Sequence, residues 1–189
     1  MEDTYRSNLQ AYESGTLEEG QKFHVGPSDA SGITTRLGTD LGQLGGSAGF
    51  FELSDMVKAG HLDMGTVKAL RNSKVLGLQG ASARGKLGNV KLEQKHIDAI
   101  DSAIYKRNLA ELTPYSAFSA APKAVQHEVM QFKTHVRFMG DQVGRVLANP
   151  DSSIEDIAKA IEDSGKGDTN RRANTARAIR DQIIPNWEH

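Results

Sequence analysis

The sequence predicts an α+β fold with segregated elements: a small N-terminal β-hairpin lobe and a larger all-helical C-terminal lobe. Glycine supplies the first sign, because nine of the 19 glycines fall within the first 50 residues. Glycine weakens helices and opens the left-handed angles of tight turns, so this quarter reads as turns and short strands. The second sign is a change of texture near residue 50, after which apolar residues recur at helical spacing. At 189 residues the chain can bury a core without metal or disulfide support. It reads as one domain over residues 1–189, with a β lobe at about 14–48 and a helical lobe at about 49–185.

Residues 3–13 read as a short helix carrying Leu9 and Tyr12 at i, i+3. Phe23-His24-Val25 and Ile33-Thr34-Thr35 follow as two strands, separated by the turn-forming run Gly26-Pro27-Ser28-Asp29. Phe50, Leu53, Met56 and Val57 keep helical spacing, as do Val67 and Leu70. Residues 92–112 form the clearest long helix, with Ile97, Ile100 and Ile104 on one stripe. It should stop near Leu112, because Pro114 disfavours helix at Thr113. Pro122 suits the first turn of the next helix, which carries Val125, Val129, Phe132 and Val136 on one face. Ser152 or Ser153 caps a helix over 152–163 with Glu155 or Asp156 in its first turn, and Ile154, Ile157 and Ile161 form its stripe. Gly165-Lys166-Gly167 stops it. A last helix at about 170–183 shows Ala173, Ala176, Ile179 and Ile183, and Pro185 ends it.

Composition removes several classes of function. With 23 basic and 24 acidic residues, the chain lacks the overall charge of a nucleic-acid or membrane-surface binder. The absence of cysteine excludes disulfides, thiolate catalysis and Cys-based zinc sites. No segment approaches the roughly 18 apolar residues a bilayer span needs, so no stable membrane insertion is expected. Met1-Glu2-Asp3-Thr4-Tyr5-Arg6 lacks the basic and apolar regions of a signal peptide. The expectation is a protein made in the cytoplasm and delivered by other machinery if it acts outside.

The six histidines, His24, His61, His96, His127, His135 and His189, form no H-E-x-x-H pattern, and read as solvent-facing or hydrogen-bonded side chains. His127 and His135 are two helical turns apart, too far to share a metal unaided. Nucleophile-elbow and phosphate-loop motifs are absent. Arg171, Arg172, Arg177 and Arg180 cluster on the last helix. Arg171 and Arg172 open it, where the macrodipole disfavours cations, so they require a partner, which protein groups or an acidic polymer would satisfy.

The acids remain. Asp40 lies in a glycine-flanked turn, six residues after the Thr34 hydroxyl, and the two can hold a water molecule. Backbone N–H groups around Asp40 should keep it ionised. Glu13 ends the first helix beside Gly15, where the helix C-terminus and partial burial both favour the protonated carboxyl. Two carboxyls in opposed environments are the acid/base arrangement of glycoside hydrolysis. Glu18 and Glu19, in the following loop, compete for the acid role.

These residues resemble a known family. Ser31-Gly32-Ile33-Thr34-Thr35-Arg36-Leu37-Gly38-Thr39-Asp40-Leu41-Gly42-Gln43 is similar to the Ser-Gly-Val-Thr-Ile-Gly-x-Gly-Phe-Asp-Leu-Gly-Gln segment of pesticin-like lysozymes, a branch of the phage-type muramidases. Tyr12-Glu13-Ser14-Gly15 resembles the family's catalytic-glutamate segment. Val75-Leu76-Gly77-Leu78-Gln79-Gly80 with Ala83, and Thr169-Asn170-Arg171-Arg172, resemble later segments. The resemblance implies a lysozyme-like fold in which Glu13 is the general acid and Asp40 orients or activates the attacking water. Thr34 helps to position that water. It also implies cleavage of the β-1,4 bond between N-acetylmuramic acid and N-acetylglucosamine in peptidoglycan, with no metal or organic cofactor. An endolysin released by a holin fits best; a bacteriocin domain or an effector carried by secretion machinery are the alternatives. Action then falls in the periplasm or cell wall. Arg36, Thr39 and Ser14 depart from the family pattern, replacing a glycine, an aromatic and a glycine. A non-catalytic glycan-binding or structural component on the same fold is the rival reading.

Overall fold

A computed structural model describes residues 22–26, 28–35, 38–44, 53–136, 139–167 and 169–183, with residues 181–183 described by their backbone alone. The helix expected over 3–13, with Glu13 and Ser14, lies outside the described residues. So do Glu18, Glu19, Pro27, Arg36, Phe50, Pro185 and His189. The α+β expectation holds: a two-stranded antiparallel sheet near the N-terminus is followed by helices. The chain divides into two compact units, Met1–Arg107 and Asn108–His189.

In the first unit, β1 (Phe23–Val25) pairs with β2 (Ile33–Thr35) in the register Phe23↔Thr35, His24↔Thr34 and Val25↔Ile33. Side chains alternate across a sheet. Ile33 and Thr35 are buried, and Phe23 and Val25 opposite them pack on the same core. His24 and Thr34 therefore share the other face. A single 3-10 turn, Leu41–Gln43, follows β2. Helices α1 (Leu53–Lys58), α2 (Met64–Ser73) and α3 (Gly80–Lys86), the 3-10 turn Leu87–Asn89 and the start of α4 (Gln94–Leu112) complete the unit. Ile33, Leu41, Leu44, Met56, Leu70, Val75, Ile100 and Ile104 form its core, each stabilising by about 1.5–3 kcal/mol on burial. Asp63 caps α2, accepting from Thr66 N at 2.9 Å.

The second unit holds the end of α4, then α5 (Ser116–Ala120), α6 (Lys123–His135), α7 (Asp141–Ala148), α8 (Ile154–Asp163) and α9 (Thr169–Ile183). Helix α4 stops at Leu112, as Pro114 requires. Val125, Val129, Phe132 and Val136 are all buried, confirming the stripe read along α6. Ser153 caps α8 in a reciprocal capping box with Asp156. Gly165, at φ 64°, turns the chain away from α8. Helices α3, α5 and α7 were not anticipated as separate elements. Two are only five and seven residues long, and α7 carries Gly144 in its interior.

Candidate functional site

The segment from Ser31 to Gln43 makes the site. Its turn is tied at both ends: Thr35 N donates to Thr39 O at 2.8 Å and Gly38 N to Thr35 O at 3.0 Å. Gly38 sits at φ 84°, a backbone state that favours glycine. The buried Thr35 hydroxyl accepts from Thr39 N at 3.1 Å and donates to Asp101 Oδ1 of α4 at 2.9 Å. The hairpin end is thereby fastened to the unit's long helix.

This closure sets Thr34 directly opposite Asp40 in an antiparallel bridge. The Thr35-to-Thr39 bond flanks the pair, which makes it a non-hydrogen-bonded pair, the kind whose side chains approach most closely. Asp40 Oδ2 accepts from Gly32 N at 3.0 Å, and Oδ1 from Gly42 N at 2.8 Å. The carboxylate thus crosses the hairpin end and caps the 3-10 turn behind it. The motif's glycines follow from this crossing. A Cβ on Gly32 would run into Asp40 Oδ1 and lie 2.6 Å from Gly42 Cα. One on Gly42 would strike Leu78 O. The Thr34 hydroxyl donates to Gly32 O at 3.3 Å, leaving its lone pairs open.

Asp40 is raised above the ordinary carboxylate range. Burial does this, outweighing the backbone N–H groups of Gly32, Gly42 and Gln43 and the positive charge of His24, which pull the other way. Sequence reasoning weighed only the N–H groups, which do act on Asp40 but are outweighed by burial.

Of the predicted site residues, the structure brings Thr34 and Asp40 together; Glu13 lies outside the described residues. The Val75–Gly80 segment joins them: Gly32 bridges to Gln79, and Gly80 N donates to Ser31 O at 2.9 Å.

Sequence reasoning passed over Glu128 on α6, in the second unit. Burial alone raises its carboxyl from 4.5 to about 7, the environment that was sought for Glu13. Its position, three residues after Val125 and four before Phe132, flanks the buried stripe and was the available signal. In the same unit, burial and the nearby Arg171 charge lower His135 to about 3 and keep it neutral.

Arg172 and Arg180 of α9 find partners within the chain. Arg180 binds both oxygens of Glu155 (2.9 and 3.0 Å from Nε) and Glu162 Oε2 (2.9 Å from Nη1). Arg172 donates to the carbonyls of Glu162, in the last turn of α8, and of Lys166 and Gly167 just after it, satisfying acceptors that the helix end leaves open. That is the partner the macrodipole argument demanded of Arg172.

No family model matches the chain, and neither a curated protein nor a solved structure does. Among the described residues, no helix is long and apolar enough to cross a membrane.

Proposed function

We propose that the protein is a muramidase that cleaves the β-1,4 MurNAc-GlcNAc bond of peptidoglycan, with Thr34 and Asp40 holding the attacking water. The observation that carries this reading is the bridge placing Thr34 against an Asp40 carboxylate fixed by Gly32 and Gly42. Each Asp40 oxygen keeps a lone pair beyond its backbone bond, and the Thr34 hydroxyl can still accept. One water between them would be oriented without reorganisation at the moment of attack. Glu13 donates the proton to the leaving glycosidic oxygen, and Glu18 and Glu19 are the alternative acids. No metal or organic cofactor enters this scheme. An endolysin, made in the cytoplasm and released to the wall by a holin, is the setting we favour over a bacteriocin or a secreted effector.

A second reading has its own observation. Both Asp40 oxygens take backbone bonds that hold the hairpin end together, which a glycan-binding or structural component would need equally.

Turbidity loss of permeabilised Gram-negative cells, with sugar analysis of the products, separates the two. Wild type should lyse them and leave reducing muramic acid ends. Glu13→Gln should lose about 10²–10⁴-fold, the usual worth of a general acid. Loss instead in Glu18→Gln or Glu19→Gln would move the acid there. Folded wild type that neither lyses cells nor releases sugars would overturn the muramidase reading in favour of the second.

A further inference from the structure

We propose that His24 is a third member of the Thr34–Asp40 site, a positioning residue whose imidazole steadies a hydroxyl-type oxygen seated over Thr34. What it steadies rests on the muramidase reading; its membership of the row rests on the hairpin alone.

The register places His24 directly opposite Thr34, and the bridge places Thr34 directly opposite Asp40. Directly opposed residues of antiparallel strands put their side chains on one face, with Cβ atoms about 4.5–5.5 Å apart. Imidazole, hydroxyl and carboxylate therefore form one row across three adjacent backbone segments. The core holds the other face through Ile33 and Thr35. All three members of the row are half-buried, so none is held only by solvent.

Two further observations single out the histidine. His24 Nδ1 is buried and makes no hydrogen bond among the described residues. A buried polar atom in that state is destabilising, and an oxygen ligand on the row would relieve it. The positive charge of His24 is also felt at Asp40, where it favours the carboxylate. On the elements packed against β1, the charged groups among the described residues are Arg84 and Lys86 of α3. Arg84 is paired with Asp29 at 2.9 Å. Strand β2 and the 3-10 turn Leu87–Asn89 carry no charged residue.

The oxygen has two possible sources, the attacking water and a sugar hydroxyl, and kinetics divides them. His24→Leu should lower kcat on peptidoglycan about ten- to hundredfold, the scale of a misplaced reactant. An unchanged KM assigns the oxygen to water, and a raised KM assigns it to the sugar. His24→Asn, which keeps a polar atom near the place of Nδ1, should restore part of the loss. A second arm needs no turnover: the Asp40 carboxyl carbon is titrated by NMR in full-length wild type, His24→Leu and the control His96→Gln. The titration should move upward in His24→Leu and stay put in the control. An unmoved Asp40 titration, with the Gly32 and Gly42 amides at their native shifts, overturns the proposal even if kcat falls. If wild type lyses nothing while the titration moves, the muramidase reading fails and His24 remains in the row.

Discussion

Glu128→Gln tests the electrostatics of the second unit. Glu128 forms no ion pair or hydrogen bond among the described residues, and burial alone raises it from 4.5 to about 7. The sign follows from linkage. Below pH 4.5 the carboxyl is protonated whether the chain is folded or not, and it contributes no penalty. Between 4.5 and 7 the unfolded chain releases the proton first, so stability falls as pH rises through that window. At about 1.4 kcal/mol per pH unit the full displacement corresponds to about 3 kcal/mol, and water reaching the open side of a half-buried group reduces it to about 2 kcal/mol. Glutamine keeps the shape without the charge. Glu128→Gln should therefore match wild type in urea unfolding at pH 4.5 and exceed it by about 2 kcal/mol at pH 8.5. Circular dichroism at four or five pH values is sufficient. Wild-type and variant curves that stay parallel from pH 4.5 to 8.5 would refute the argument, because the carboxyl would then titrate alike in both states.

The remaining predictions concern the hairpin. Asp40→Ala strips the acceptors from the Gly32 and Gly42 amides; two charge-assisted bonds worth about 1.5–3 kcal/mol each, partly replaced by water, leave a loss of about 2–3 kcal/mol. Exchange of those two amides should quicken about 30- to 160-fold, while exchange in α6, in the other unit, stays as in wild type. Gly32→Ala forces its Cβ against the Asp40 carboxylate and the Gly42 backbone, and should cost about 1–3 kcal/mol as overpacking does. Combining it with Asp40→Ala should cost less than the sum of the two, since one of the clashes disappears; strict additivity would show that the crossing is not tight.

What the sequence disclosed and what it concealed divide along the range of the forces involved. The strands Phe23–Val25 and Ile33–Thr35 were legible because alternation and flanking glycines are local properties. So were the stop of α4 at Leu112 and the Ser153 cap, each set by residues within a few positions. Thr34 and Asp40 were legible as a pair because a tight turn across six residues leaves few other outcomes. The upward shift of Asp40 was hidden, since burial depends on what packs around the hairpin and not on its own N–H groups. His24 escaped notice because its place opposite Thr34 depends on register, which the length of the intervening loop decides. Arg172 was seen to need a partner, but nothing in the sequence pointed to backbone carbonyls at and just after the end of α8.

The two roles of Asp40 are not in competition. A carboxylate that orients a water must itself be held, and the Gly32 and Gly42 amides hold it from the side of the backbone. Fixing it costs the protein two side chains, because both glycines must stay bare for the carboxylate to cross between them. A purely structural cap would gain nothing from a hydroxyl set opposite it or an unsatisfied imidazole one strand further on. Thr34→Val therefore separates the cases, since it keeps the shape and β-branching of the strand residue while removing the hydroxyl. Its Oγ1 makes one long bond, 3.3 Å to Gly32 O, so stability should fall by no more than about 1 kcal/mol. Loss of lysis at near-native stability would assign the hydroxyl to the reaction. Retained lysis would leave Thr34 with the strand and return the water to Asp40 alone.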